Sequence, residues 1–419
     1  MKLHDIESDA DKLLYSLGIN SSTPYFKHAF AEIVTITRMQ RQIPLHIYST
    51  VMEDGVAMAI SNDRYLYITK DEIHIKDNGD GVIFKYPGLP WIFNPDAQPI
   101  DIWHHPQGKY IDSFIAGLLA GQRVPIALIN GEKETGKTTL AKSILAVING
   151  KLSDVLPIPK SNDDLKVVLD GNKMVCFDNL ESAPIFFHDT ICMAVTGSTD
   201  KKRKLFKDKN IIELRLQNAI IITSIDPASM IRDDVVSRMI VITTDKISNF
   251  IGESSIIESR MNQRDNYLSW LVKVIQQSLS RPISTKHRMT GWATIAETIG
   301  LNNDDFKKIN DIGNELIASS IPALLVMKDY LSDQWPKSTT GIELYDHIRD
   351  YLRHKREMTK FPESWRELAV IIRRHEDLFQ SEIGLSLKSS GKNVTLQWGS
   401  PPHEASLARV PNPRDTSEI

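Results

Sequence analysis

Two cysteines, Cys176 and Cys192, are all that the 419 residues contain. No disulfide framework and no cysteine-rich zinc cluster can be built from them, which fits a reducing compartment. No apolar run reaches the length of a membrane span. The N-terminus, MKLHDIESDADK, is acidic and lacks the apolar core of a signal peptide. The expectation is a cytoplasmic protein without a membrane partner. Charge of one sign is also missing: 50 Lys and Arg stand against 53 Asp and Glu, a formal net charge of -3. That balance excludes a wholly basic nucleic-acid coat and leaves room for a local basic patch. The rest is ordinary globular composition, 41% hydrophobic and 25% charged. The length exceeds one core, so roughly two to four domains are expected.

The most informative stretch is VPIALINGEKETGKTT, Val124 to Thr139. An apolar run, Val124 to Ile129, is long enough for one buried strand, and Pro125 is tolerable only because it sits at the strand's start. Gly131, Glu132, Lys133, Glu134, Thr135, Gly136, Lys137, Thr138 and Thr139 follow. Leu140 to Ile148 then has helical spacing and stops at Asn149-Gly150. Strand, glycine-bounded loop, Lys-Thr and helix are the phosphate-binding loop in its required context. Glycines let backbone N–H groups turn around an anion, Lys137 reaches the outer phosphates, and the Thr138 hydroxyl can ligate Mg²⁺. The helix N-terminus favours negative charge at the same place. A coincidental Lys-Thr after an ordinary turn is the rival, and the flanking strand and helix argue against it. ATP and Mg²⁺ are the predicted cofactors.

Downstream, Met174 to Phe177 make an apolar strand ending in Asp178. A carboxylate there, after a phosphate loop, can support Mg²⁺; the plainer alternative is a solvated strand end. Asn179 stands where many such ATPases place a second acid to activate water. An amide orients water but is a poor proton acceptor, so slow hydrolysis is one expectation, with Glu181, Glu132 and Glu134 as substitute bases. Lys201, Lys202, Arg203 and Lys204 form a basic block before the next strand, able to meet nucleic-acid phosphate or a neighbouring subunit's nucleotide; a solvated loop is the commoner meaning of such a run. Asn218 to Thr223 is another buried strand, ending in Thr223-Ser224, hydroxyls that can sense a terminal phosphate or simply cap the strand. Arg238 precedes the last apolar strand, Met239 to Ile242, and can reach a neighbour's phosphate across a subunit interface. Arg232 is a second candidate, and a surface salt bridge the alternative for both.

Around this core the pattern changes. Residues up to about Arg41 read as helical, with Thr23-Pro24 a helix start. From Ile47, short β-rich runs broken by Asp54-Gly55, Asn62-Asp63 and Asn78-Gly79-Asp80-Gly81 predict a small antiparallel sheet. Pro87, Pro90, Pro95, Pro99 and Pro106 mark a linker. His104-His105 within it makes a poor metal pair and reads as surface. Residues 250 to 335 have helical periodicity. Ile342 to Leu352 and Ser364 to Phe379 read as helices, and GLSLKSSGKNVTLQW as a hairpin across Gly391-Lys392. Helix, helix, hairpin is the outline of a winged helix, for duplex DNA or for protein. Arg353, Lys355, Arg356, Arg366, Arg373, Arg374, Lys388 and Lys392 supply its positive charge. The tail from Pro401 has the composition of a disordered segment.

Taken in order, GEKETGKTT, MVCFDN, TGSTDKKRKLF, IIITSIDP and VVSRMIVI resemble the superfamily 3 and poxvirus-type primase-helicase ATPases, a branch of the AAA+ class, and are closest to those of phages and integrated mobile elements. HRMTGWATIAETIGL, His287 to Leu301, is similar to the helical segment after the ATPase core of those proteins, and the resemblance covers most of residues 45 to 398. It implies that Gly131, Gly136, Lys137 and Thr138 hold nucleotide and Mg²⁺, that Asp178 is the Walker B acid, that Thr223 or Ser224 is the sensor, and that Arg238 is an arginine finger with Arg203 its partner or a DNA contact. Such proteins commonly form hexameric rings translocating on DNA. Asn179, and a hydroxyl where many relatives carry Asn at the sensor, depart from the pattern. The expectation is an α/β chain: an N-terminal helix, small β-rich domain and linker to residue 108, a P-loop AAA+ ATPase core over 109–250, a helical lid over 251–338, a winged-helix-like domain over 339–400 and a tail over 401–419. The expected function is a ring-forming DNA helicase or translocase in replication of a mobile element. The alternative is an ATP-binding assembly switch, in defence or element regulation, that hydrolyses slowly and unwinds nothing.

Overall fold

A computed structural model describes residues 44–180, 183–203, 211–225, 233–247, 250–333, 338–355, 361–390 and 393–398. The predicted helices before Arg41 and the tail from Pro401 lie outside the described residues.

The β-rich segment forms β1 (Leu45–His46), β2 (Ser49–Val51), β3 (Gly55–Ala59), β4 (Arg64–Thr69), β5 (Ile73–Asp77) and β6 (Ile83–Phe84). Strands β2 to β5 pair in sequence order as an antiparallel meander, and β1 pairs with β6 in parallel. The turns fall where Asp-Gly, Asn-Asp and Asn-Gly predict them. Gly55 has no room for a side chain, because a Cβ would run into the carbonyl oxygen of Ile68 across the pair. Strand β3 is buried along its whole length, so it packs on both faces and does not alternate.

The proline-rich stretch that follows has no regular structure, as five prolines dictate. It is not a loose tether, however. Trp91, Ile102 and Trp103 are buried, and backbone groups of Ile92 and Asn94 donate to Asp265 and Ser269 at 3.1 and 2.8 Å. Tryptophans among the prolines supply apolar area that a free linker lacks.

Next come α1 (Gly108–Leu119), β7 (Ile126–Asn130), α2 (Lys137–Asn149), α3 (Asn162–Gly171), β8 (Met174–Phe177), α4 (Ile185–Thr196), β9 (Thr199–Arg203), β10 (Ile211–Arg215), β11 (Ala219–Ser224), α5 (Asp233–Val236) and β12 (Met239–Thr243). The central sheet has the order β12-β7-β11-β8 and is parallel throughout. Its strands are near-continuous apolar runs because helices cover both faces. A single bridge from Leu156 to Phe177 extends the sheet beyond β8. Because all four strands run the same way, Asn130, Phe177, Ser224 and Thr243 end on one edge. Strands β9 and β10 pair as an antiparallel hairpin rooted at the opposite edge, where Leu216 N donates to Ser198 O at 3.0 Å.

The remainder is helical: α6 (Glu253–Met261), α7 (Arg264–Leu279), α8 (Thr290–Ile299), α9 (Asn303–Ser320) and α10 (Pro322–Asp333). Then follow β13 (Ser338–Thr340), α11 (Gly341–Lys355), α12 (Trp365–Arg374), α13 (Glu376–Ile383), β14 (Leu385–Ser390) and β15 (Asn393–Trp398). A capping box at Asn302 starts α9 and the Ser364 side chain caps α12. One apolar core runs without interruption from Tyr48 to Ile309, so the β-meander, the parallel sheet and α7 to α9 pack as one body. A second core takes in Ala318 to Leu331 of α9 and α10 together with α11 to α13 and β14. Residues from Ala318 to Leu331 therefore pack with the C-terminal unit. Its sheet, β13-β15-β14, is three-stranded; the turn at Gly391-Lys392 is outside the described residues.

Two buried polar groups tie the first core together. Arg264 donates to Val147 O at 2.7 Å, to the Tyr86 hydroxyl at 3.0 Å and to Leu89 O at 3.1 Å, a cation at the C-terminal end of α2. Asp112 accepts from Trp103 Nε1 at 2.9 Å and from the Tyr267 hydroxyl at 2.6 Å. Burial pushes the Asp112 carboxyl up to about 7, against the pull of those two donors. The unfolded chain releases that proton near pH ~4. Between there and about pH 7 the folded state holds more protons, so stability falls as pH rises through that window and levels off above it. Asp112→Asn keeps an acceptor and removes the titration. Its thermal midpoint should fall less across the window than that of the unaltered protein; parallel curves would refute the assignment.

Candidate functional site

Strand β7 delivers the chain to Gly131, where a Cβ would come within 2.5 Å of the Thr244 carbonyl oxygen. The loop is clamped to the end of β12. Thr244 N donates to Asn130 O at 2.8 Å, and buried Thr135 places its Oγ1 2.7 Å from Thr244 Oγ1 and donates to Glu132 O at 3.0 Å. Glu134 and Gly136 turn the chain with φ of 64° and 78°. That left-handed conformation is free for glycine and costs other residues about 1–2 kcal/mol. Gly136 is the N-cap of α2, so the first N–H groups of a 13-residue helix face the loop with no intrahelical acceptor. Lys137 Nζ donates to Gly131 O at 2.7 Å and to Glu132 O, at the centre of the cradle. Burial lowers its pKa, and Asp178 opposes the shift. Glu132, Lys133 and Glu134 are exposed. Thr139 turns outward to Glu253, at 3.1 Å, which also pairs with Lys142 at 2.8 Å.

Because β11 lies between β7 and β8, three strand ends converge. Thr138 Oγ1 donates to Asp178 Oδ1 at 3.1 Å, and Thr223 Oγ1 donates to the same oxygen at 2.5 Å. The Asn179 backbone N donates in turn to Thr223 Oγ1 at 2.9 Å. The two hydroxyls left open by the strand pattern thus separate. Both are buried; Thr223 joins the carboxylate, whereas Ser224 donates to Leu180 O at 2.8 Å. Asn179 is exposed with φ of 58°. Asn enters the left-handed region far more readily than Glu does, so the backbone gives an independent reason for an amide here. A hydroxyl and a carboxylate beside a lysine and a helix N-terminus suit a triphosphate with Mg²⁺ chemically.

Other predicted residues are elsewhere. Arg238 lies at the opposite edge of the sheet, its carbonyl bonded to Ile126 N at 2.7 Å. Its guanidinium folds back onto the Asp234 carbonyl, and its Nε is buried without an acceptor among the described residues. It is therefore remote from its own chain's loop. Lys201, Lys202 and Arg203 are on β9. Arg373 and Arg374 are exposed in the last turn of α12. Glu181, Lys204, Arg232, Arg356 and Lys392 lie outside the described residues.

Sequence reasoning missed one feature. A cavity of about 480 Å³ adjoins the loop, lined among others by Trp103, His105, Gly136, Thr244, Phe250 and Arg260. Arg260 lies 5.2 Å over the Trp103 ring and donates to Ser143 Oγ at 2.7 Å. His105, read as surface, is half-buried, and burial lowers its pKa. The signal was Trp103 itself, a large apolar residue in a stretch assigned to linker.

The class is a mixed α/β fold with a parallel sheet and a strand-loop-helix cradle. Residues 108–262, which begin with α1 and end just past α6, match the family model described as actinomycete integrative conjugative element replication protein. No curated protein matches the chain. The fold is similar to a solved structure described as "SCCmec type IV Cch - active helicase", with a TM-score of 0.51 at 12% identity, covering 96% of this chain and 88% of that one. The apo structure of the NrS-1 C terminal region covers 80% of this chain and 93% of its own at 12% identity and TM-score 0.36. The X-ray structure of JCV helicase covers 50% and 61% at 14% identity and TM-score 0.25. At such identities the likeness is one of fold.

Thr223 is the testable joint of this site. Thr223→Val keeps the shape, takes a donor from Asp178 and leaves the Asn179 N–H without an acceptor. The loss should be about 1–3 kcal/mol, read as a lower urea midpoint, with Thr223→Ser close to the unaltered protein. Equal midpoints for Val and Thr would show that the bonds contribute nothing.

Proposed function

We propose that this protein is an ATP-dependent DNA helicase or translocase that assembles into a ring and serves the replication of a mobile genetic element. The observation that carries the reading is the convergence of Lys137, Thr138, Asp178 and Thr223 at one sheet edge. In this reading the loop's N–H groups and Lys137 hold a triphosphate, Thr138 and Asp178 hold Mg²⁺, and Thr223 positions the carboxylate. Bound Mg²⁺ supplies charge neutralisation at the phosphates. The cavity beside Trp103 and Arg260 takes the nucleoside. The match over 108–262 to a replication-protein family and the fold likeness to a helicase support the assignment.

The finer parts of the reading are a superfamily 3 type of core, a hexameric ring threaded by single-stranded DNA, a winged helix in α11 to β15 that meets duplex DNA, and a cytoplasmic location. No helix among the described residues is long and apolar enough to cross a membrane. Arg238 acts in trans, since it sits at the far edge from its own loop. A second reading, an assembly switch with slow hydrolysis, is favoured by Asn179 alone.

DNA should stimulate ATP hydrolysis, and Lys137→Ala should abolish it in a coupled phosphate-release assay. Equal, DNA-independent turnover in both proteins would sink the motor reading. Asn179→Asp tolerates the same backbone and restores a proton acceptor. Faster hydrolysis without any strand separation on a forked substrate would favour the switch.

A further inference from the structure

At the edge of the sheet opposite the phosphate loop is a cleft of about 410 Å³ that the site above does not use. Its walls are Gly121, Gln122 and Arg123 before β7, Thr196 at the end of α4, Gln217 before β11, and Arg288 with Met289, Thr290 and Gly291 at the start of α8. Two features set it apart. It holds two arginines from separate segments, both exposed, and no acid among the described residues lines it, in a chain whose acids outnumber its Lys and Arg. Among the described residues Arg123 makes no ion pair or hydrogen bond, and Arg288 donates only to a neutral hydroxyl, Ser237 Oγ at 3.0 Å.

The positions of both arginines are built rather than incidental. Gly197, with φ of 74°, passes so close to Arg123 that a Cβ there would lie 3.2 Å from its Nε. Gly291 lies against the Gln122 side chain, whose Cδ would be 2.8 Å from a Cβ. Two glycines thus let segments close in while the cationic and amide groups stay at the cleft. Thr196 lines the cleft, and the strand that carries Lys201, Lys202 and Arg203 leaves the same wall at Thr199. Unneutralised arginines beside amides and hydroxyls are donors in search of a phosphate. The volume accepts a sugar-phosphate unit of one strand and not the width of a duplex.

We propose that this cleft, through Arg123 and Arg288 assisted by Gln122 and Gln217, binds the phosphodiester backbone of single-stranded DNA at the root of the β9–β10 hairpin. The inference rests on the DNA-binding part of the proposed function and adds a site to it, remote from the nucleotide. It also sets the DNA contact beside Ser237, next in sequence to Arg238.

The test uses the full chain and a fluorescent deoxythymidine oligonucleotide, with anisotropy read across a salt series. Each phosphate contact contributes about 0.7 to the log–log slope. The double variant Arg123→Ala/Arg288→Ala should lose about 1.4 from the slope and bind on the order of 25-fold more weakly at 0.1 M salt, the factor two such contacts supply relative to 1 M. Its ATP affinity and thermal midpoint should be unchanged. Gln217→Glu, which removes no contact cation and adds a negative charge, should also weaken DNA binding. If the unaltered protein binds the oligonucleotide with a salt slope and both variants match it, the cleft assignment is overturned and the DNA reading stands. Weaker ATP binding with unchanged DNA affinity would also overturn it, by assigning the cleft to a nucleotide. No DNA binding by the unaltered protein would overturn both readings.

Discussion

One carboxylate oxygen, Oδ1 of Asp178, receives hydrogen bonds from Thr138 and Thr223, side chains that belong to a helix start and to a different strand end. That arrangement exists only because β11 is inserted between β7 and β8 in a parallel sheet. Three loops are thereby brought to a single edge. Charge-assisted hydrogen bonds in a partly buried setting are stronger than neutral ones, so the carboxylate fixes the loop before α2 to the sheet. The loop's other anchor, Thr135 against Thr244, works from β12 on the opposite side of β7. The loop is therefore held from both flanking strands, and the backbone N–H groups behind Lys137 are preorganised.

The same sheet separates two surfaces. Its C-terminal edge carries the cradle and the cavity beside Trp103. Its N-terminal edge carries Arg238, the root of the basic hairpin and the arginine-lined cleft. Strand ends at both edges are joined by rigid, buried β-structure with helices on either face. The β-meander and the proline-rich segment share the first core with the sheet. Arg264 and the Asp112 group bind that segment to α2 and α7, so the cavity wall at Trp103 is fixed by polar contacts that no short sequence window contains.

The local elements of the core were legible because each is written in neighbouring residues. An apolar run before Gly131, helical spacing after Gly136, and a strand ending in Asp178 need no distant information. The same holds for Asp-Gly and Asn-Gly turns of the meander. What pattern could not decide was any choice between adjacent side chains. Thr223 and Ser224 are equivalent in the pattern and both fully buried, and only the partner that each hydroxyl meets, the Asp178 carboxylate or the Leu180 carbonyl, separates them. Asn179 is legible as a missing acid, yet its left-handed backbone is a second reason for the amide and comes from the way the chain leaves β8.

The sequence by itself determined the strand-loop-helix cradle, the succession of core strands along the chain and the near-neutral balance of charge, since local spacing and composition are properties of the chain alone. Only the tertiary structure decided that a stretch rich in proline is a cavity wall, that α9 and α10 divide between two cores, and that Arg123 and Arg288 meet. Those facts depend on contacts between residues far apart along the chain, whose cost in chain entropy is met only when the whole core forms at once.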